Sequence, residues 1–245
     1  MQDFTNYSPN TQNSGALAQD AIRSEAAFFQ KTYAWMFAAL AVTTGVAFVL
    51  SSSNAWLNFL RQGGFAYWAV ALLPLGLAWY VGSKVESLAP SAIAGFLLAI
   101  GASFGLTLSV VFVIYPTAAL VKAFICTAGI YGAMAVYGMV TKRSLQAMGS
   151  FLFMGLVGLI IASIVNLFIK SGPMDFVICV IGVLLFSALT AYDHQKLRVM
   201  HFSAVSVGAD NDTLARYALM GSLTLYLDFL NLFLFLLRII GRADD

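Results

Sequence analysis

Leu223 to Arg238 reads LTLYLDFLNLFLFLLR, an apolar run long enough to lie in a bilayer with Asp228 in its interior. A carboxylate at bilayer depth costs roughly 2.5–3.5 kcal/mol on insertion scales, so it calls for a function and a partner. Thr224, Asp228 and Asn231 are spaced by four and three residues and share one side of a helix. Leu, Phe and Ile fill the other sides. A helix apolar nearly all round with one thin polar stripe belongs inside a bundle. The best partner for Asp228 is Asp193, in Leu189-Thr190-Ala191-Tyr192-Asp193 at the end of the preceding apolar run. Thr190 lies three residues before Asp193, so the two share a face as well.

Composition sets the class. Sixty per cent of the 245 residues are hydrophobic and 10% are charged, whereas soluble domains run near a quarter charged. The chain reads as an all-α integral membrane protein. A net charge of +2 is too small to argue for nucleic acid, and no nucleic-acid partner is expected. Cys126 and Cys179 lie inside apolar runs, without the spacing of a zinc site. No resident cofactor is expected.

Residues 1–31 are polar and read as a cytoplasmic tail, with Ala16–Gln30 able to form a short surface helix. Residues 32–245 form the membrane domain. Seven apolar runs follow at about 32–50, 65–82, 91–114, 117–140, 148–169, 174–192 and 214–240, each long enough for a core of about 30 Å. The second contains Pro74. The third carries Gly101 and Gly105, a small-xxx-small face for close packing. The fifth carries Ser163 and Asn166, expected to hydrogen-bond between helices. Residues 194–213 read as a polar loop holding solvated His194 and His201. Thr141-Lys142-Arg143-Ser144 is a basic turn. With the N-terminus inside, eight basic residues fall on the cytoplasmic side and five on the other, which the positive-inside rule favours. Asp228 lies 14 residues into the seventh run, about 21 Å along the axis. It meets Asp193 only if that helix starts in the cytoplasm or bends at Gly221-Ser222.

Two carboxyls at hydrogen-bond distance in a low-dielectric site cannot both ionise cheaply. They share a proton and titrate as a unit. The same pair offers oxygens to a hard cation such as Ca²⁺. Asp193 and Asp228 are therefore the expected pH sensor and cation site, supported by Thr190, Thr224 and Asn231. Hydrolase, zinc-protease and P-loop motifs are missing, so no enzyme is expected. An intramembrane aspartyl protease also uses two acids, the second preceded by Gly-x-Gly. Tyr192-Asp193 matches its first half, but Leu225-Tyr226-Leu227 precedes Asp228.

Ala191-Tyr192-Asp193-His194-Gln195-Lys196-Leu197, then Leu225-Tyr226-Leu227-Asp228-Phe229 with Asn231-Leu232-Phe233, resembles the signature of the transmembrane Bax inhibitor motif family, bacterial branch. Gly132-Ala133-Met134, Tyr137-Gly138 and Thr141-Lys142-Arg143 fit the resemblance. It implies a seven-helix bundle with the C-terminal helix at its centre, in the cell inner membrane. It also implies a pH-sensitive calcium leak gated by a di-aspartyl pair, which Asp193 and Asp228 match. Bacterial relatives add an arginine at the end of helix two and an acid within it. Here Lys84 is the available counter-charge. Other bacterial relatives resemble modulators of a membrane-bound quality-control protease, which gives a binding partner as the alternative function. The lipid bilayer, calcium ions and protons are the other implied partners. The sequence does not set the oligomeric state.

Overall fold

The computed structural model describes the backbone of residues 11–243 and the side chains of 19–242 except 66 and 67. Every element is helical: α1 Thr11–Ser51, α2 Asn54–Gln62, α3 Phe65–Lys84, α4 Pro90–Leu108, α5 Val111–Ile114, α6 Thr117–Val140, α7 Gly149–Ile169, α8 Gly172–Ser206 and α9 Asn211–Ala243. A single 3₁₀ turn, Gln146–Met148, leads into α7. Six stretches are long and apolar enough to cross a membrane: Gln19–Ser51, Pro90–Ile114, Thr117–Val140, Gln146–Ile169, Gly172–Ser206 and Asn211–Arg242. The molecule is a multi-pass membrane protein. The second expected run is α3, a 20-residue helix with Pro74 inside it.

Local chemistry sets the helix ends. Pro90 opens α4 and Pro116 stands at the N-cap of α6; a proline there forfeits only an amide that lacks a partner anyway. Ser171 caps α8 by accepting from the Met174 amide at 3.4 Å, and Asp175 lies in the first turn, where the helix dipole favours an anion. α7 ends at Lys170 in the left-handed region, φ 53°. Asn166 serves that end: its side chain accepts from the Ser171 amide at 3.1 Å, and Ser163 bonds Leu159 O in its own helix at 2.8 Å. Among the described residues the interhelical bonds expected of Ser163 and Asn166 are not found: Asn166 serves the nearer free helix end and Ser163 its own helix.

Three boundaries differ from the sequence reading. The segment taken as a tail over 1–31 is helical from Thr11, continuous with the first membrane run, and Phe28, Phe29 and Thr32 are buried; residues 1–10 lie outside the described residues. The run 91–114 breaks at Ser109 and Val110 into α4 and α5. The polar loop of 194–213 shrinks to residues 207–210, because α8 continues to Ser206 and α9 starts at Asn211.

α9 packs against α1, α4, α6 and α8. Leu225, Tyr226 and Leu232 on α9 have no exposed surface. Gly101 and Gly105 do the work expected of them. Their Cα atoms face the Ala39 and Thr43 carbonyls of α1, where a Cβ would stand 2.8 Å away in each case. Thr43 closes this junction, donating its hydroxyl toward Gly101 O at 2.9 Å and meeting the Tyr226 hydroxyl of α9 at 2.8 Å.

Candidate functional site: a buried acid pair

The long α8–α9 hairpin decides where the acids fall. Asp193 lies 13 residues before Ser206 and Asp228 lies 17 residues after Asn211, about 20 and 25 Å from the turn at 1.5 Å per residue. The heights therefore match to about one helical turn. Asp193 is not at a helix end; the extra turns of α8 lift it to the level of Asp228. No bend at Gly221-Ser222 is needed. Gly221 instead gives close approach, with a would-be Cβ 2.8 Å from the Leu197 side chain. Gly138 of α6 comes even nearer to the Ala191 carbonyl of α8, which fixes the backbone beside Asp193.

The two carboxyls come within hydrogen-bonding reach of each other. Asp193 is 8% exposed and Asp228 4%. Carboxylates are acceptors only, so contact between them needs a shared proton or a cation. Asp228 Oδ2 is buried and takes no hydrogen bond from the protein. Lys196, one turn along α8, is the cation whose charge reaches Asp193. Lys84, the expected counter-charge, is exposed at the end of α3, and no ion pair among the described residues joins it to either acid. A counter-charge three residues along the same helix is nearer than one on the end of another.

The supporting stripe is arranged differently from the expectation. Thr190 donates to Phe186 O at 2.7 Å, Thr224 to Met220 O at 3.2 Å and Asn231 to Leu227 O at 2.8 Å. Each satisfies itself on its own helix, four residues back, as such side chains do in an apolar setting. An aromatic group lies beside both acids. Tyr131 of α6 lies within electrostatic reach of Asp193, Asp228 and Tyr33. Its hydroxyl donates toward Leu225 O at 3.5 Å, and its ring packs edge-on to Phe229 and to His194.

His194 and His201 are buried, not solvated. His194 Nδ1 lies 2.6 Å from Thr190 O; a carbonyl only accepts, so that nitrogen carries the hydrogen. In the neutral ring Nε2 then accepts from the Tyr33 hydroxyl of α1, 2.9 Å away. The signal that reveals these residues is spacing. Thr190, His194, Leu197, His201 and Ala204 recur every three or four residues, as one buried helical face does.

Among the described residues no group of three or more His, Cys, Asp or Glu side chains could hold a metal. The pair offers four oxygens, and a Ca²⁺ ion takes six to eight.

Comparison with known proteins identifies the family. The chain is similar to the inner membrane protein YbhL of Escherichia coli strain K12, 37% identical over 215 residues, covering 88% of this chain and 91% of that protein. It is 39% identical over 218 residues to an uncharacterized protein of Deinococcus radiodurans, covering 89% and 91%. An uncharacterized membrane protein of Streptococcus pyogenes serotype M1 is 33% identical over 219 residues, covering 89% and 93%. The family model described as inhibitor of apoptosis-promoting Bax1 matches residues 25–245, and the chain belongs to that Bax inhibitor family.

Proposed function

We propose that this protein is a pH-sensitive cation leak of the cell inner membrane, passing Ca²⁺ under control of Asp193 and Asp228. The observation that carries the reading is the meeting of two buried carboxyls, from adjacent antiparallel helices, inside an otherwise apolar bundle. With a proton between them the carboxyls bind each other and hold α8 to α9. Without it, two negative charges stand side by side, and they must either separate or take up a cation. Proton and cation then compete for one site. In this reading α3 is the seventh span, α9 is the centre of a seven-helix bundle, and the α1 end faces the cytoplasm. The inner-membrane location follows the name of the relative YbhL.

The test is Ca²⁺ flux into liposomes across pH, for the wild type and for Asp193→Asn and Asp228→Asn. Asn keeps the shape and removes the titration, so either variant is expected to flatten the pH profile. A wild type that passes no Ca²⁺ at any pH overturns the leak and leaves the regulatory partner of a membrane protease as the reading to pursue. Cleavage of a membrane substrate that either Asn variant abolishes would instead mark an intramembrane protease.

A further inference from the structure

The part of α1 that leads into its apolar run carries a stripe. Glu25, Phe28, Phe29, Thr32 and Tyr33 share one helical face, while Gln30 and Lys31 point outward and are exposed. The stripe lies against α8 and α9 on the turn side of the acid pair. Toward α8, Glu25 makes an ion pair with Arg198 at 2.8 Å, and Arg198 donates to Met139 O of α6 at 2.6 Å. Ser24 Oγ meets His201 Nε2 at 3.2 Å, and the Phe28 ring lies 4.8 Å from the His201 ring. Phe29 is parallel to His194 at 6.3 Å, and Tyr33 holds His194 Nε2. Toward α9, the Thr32 carbonyl accepts from Ser222 Oγ at 2.8 Å.

We propose that Ser24–Tyr33 is a strap that closes the aqueous approach to Asp193 and Asp228 from the α8–α9 turn, and that its release opens this approach. The inference rests on the leak reading above. Three observations carry it. The strap ends beside the site, because the Tyr33 hydroxyl meets Nε2 of His194, the residue after Asp193, at 2.9 Å, and the Tyr131 ring packs on His194. It covers polar groups that would otherwise meet water: His194 is fully buried and His201 is 2% exposed. Its hold is made of polar points, Glu25–Arg198, Ser24–His201 and Ser222–Thr32, each of which water can replace on release. The proposed release is confined to this segment. Beyond Met36, α1 is held to α4 by the backbone approaches at Gly101 and Gly105, and a packed interface of that kind does not slide.

Glu25 and Arg198 make the test, because neither touches the acid pair. Glu25→Arg places two cations together, and so frees the strap. Arg198→Glu does the same with two anions, and the double exchange restores attraction. Hydrogen exchange of residues 24–33 and Ca²⁺ flux into liposomes are measured for all four proteins at one pH, with a pH profile for each. Each single exchange is expected to speed both exchange and flux about fivefold, as loss of a half-buried ion pair and gain of like-charge repulsion allow. The double variant returns both toward wild type, and the pH midpoint of flux does not move. Unchanged exchange in the singles, no rescue in the double, or faster exchange with unchanged flux in a conducting protein overturns the strap. If the wild type does not conduct, the leak reading fails, and the exchange data alone decide whether the segment is a releasable closure.

Discussion

α7 and α9 are both long apolar helices, yet they occupy opposite environments. Only 11% of the most apolar stretch of the α7 span is buried, against 44% for α9. Phe151, Phe153, Ile161 and Phe168 of α7 are more than half exposed, while no large apolar side chain of α9 is exposed among the described residues. The more apolar helix is thus the outer one. In a soluble protein that order would be reversed. In lipid, burial of hydrocarbon brings little transfer energy, and position is decided by packing and polar contacts. α9 is the more buried of the two because it has Ser222, Tyr226 and Asp228 to satisfy, and because small residues let other helices reach it.

Three expectations test this contrast, beginning with the largest effect. Gly138→Ala drives a methyl group into the Ala191 carbonyl of α8, whereas Gly158 on α7 has nothing within 4 Å of a would-be Cβ. The first substitution is expected to cost about 3 kcal/mol or more, because backbone must move, and the second to leave the melting temperature in detergent unchanged. Equal effects would break the contrast. Leu225→Ala at a fully buried position of α9 is expected to cost about 2–4 kcal/mol through the cavity it leaves. Ile161→Ala on α7, 56% exposed, opens no cavity, since lipid fills the space. Thermal unfolding of both variants in the same detergent gives the comparison.

The smallest effect is at the turn that leads into α9. Asp210 accepts from the Thr213 amide at 3.0 Å, and its bonds to the Thr213 side chain and amide hold its carboxyl below the usual carboxylate value. A lowered value means the charged form is favoured in the folded turn. Its contribution is present above about pH 4, the unfolded value, and fades as pH falls through the lower folded value. Amide exchange of residues 211–214 is expected to speed up only under strong acid. Asp210→Asn keeps a capping acceptor and should remove that acid dependence. Exchange that changes near neutral pH would show that another group controls the turn.

The membrane runs were legible because hydrocarbon contact leaves a plain pattern. The expected run 117–140 coincides with α6, and 148–169 differs from α7 by one residue. Asp193 and Asp228 were legible as a pair because charge in an apolar run has few explanations. The polar ends were not. Residues 24–33 and 194–206 carry enough Glu, Gln, Lys, His and Arg to resemble solvated chain, but they bury His194 and His201 and pair Glu25 with Arg198. Composition averages over the two faces of a helix, whereas the spacing of Phe28, Phe29, Thr32 and Tyr33 keeps them distinct. Lys84 illustrates a further limit. Charge sign can be read from sequence, but which of several cations stands beside an acid depends on how far α8 runs past Asp193.

The short connection at residues 207–210 sets a rule of phase. One residue added to α9 between Asn211 and Asp228 would turn the carboxyl by about 100° and raise it by 1.5 Å, aiming it away from α8. The same addition within 207–210 changes only the shape of a surface turn. Length in this protein is therefore free to drift at the tip of the hairpin and is counted residue by residue along its arms.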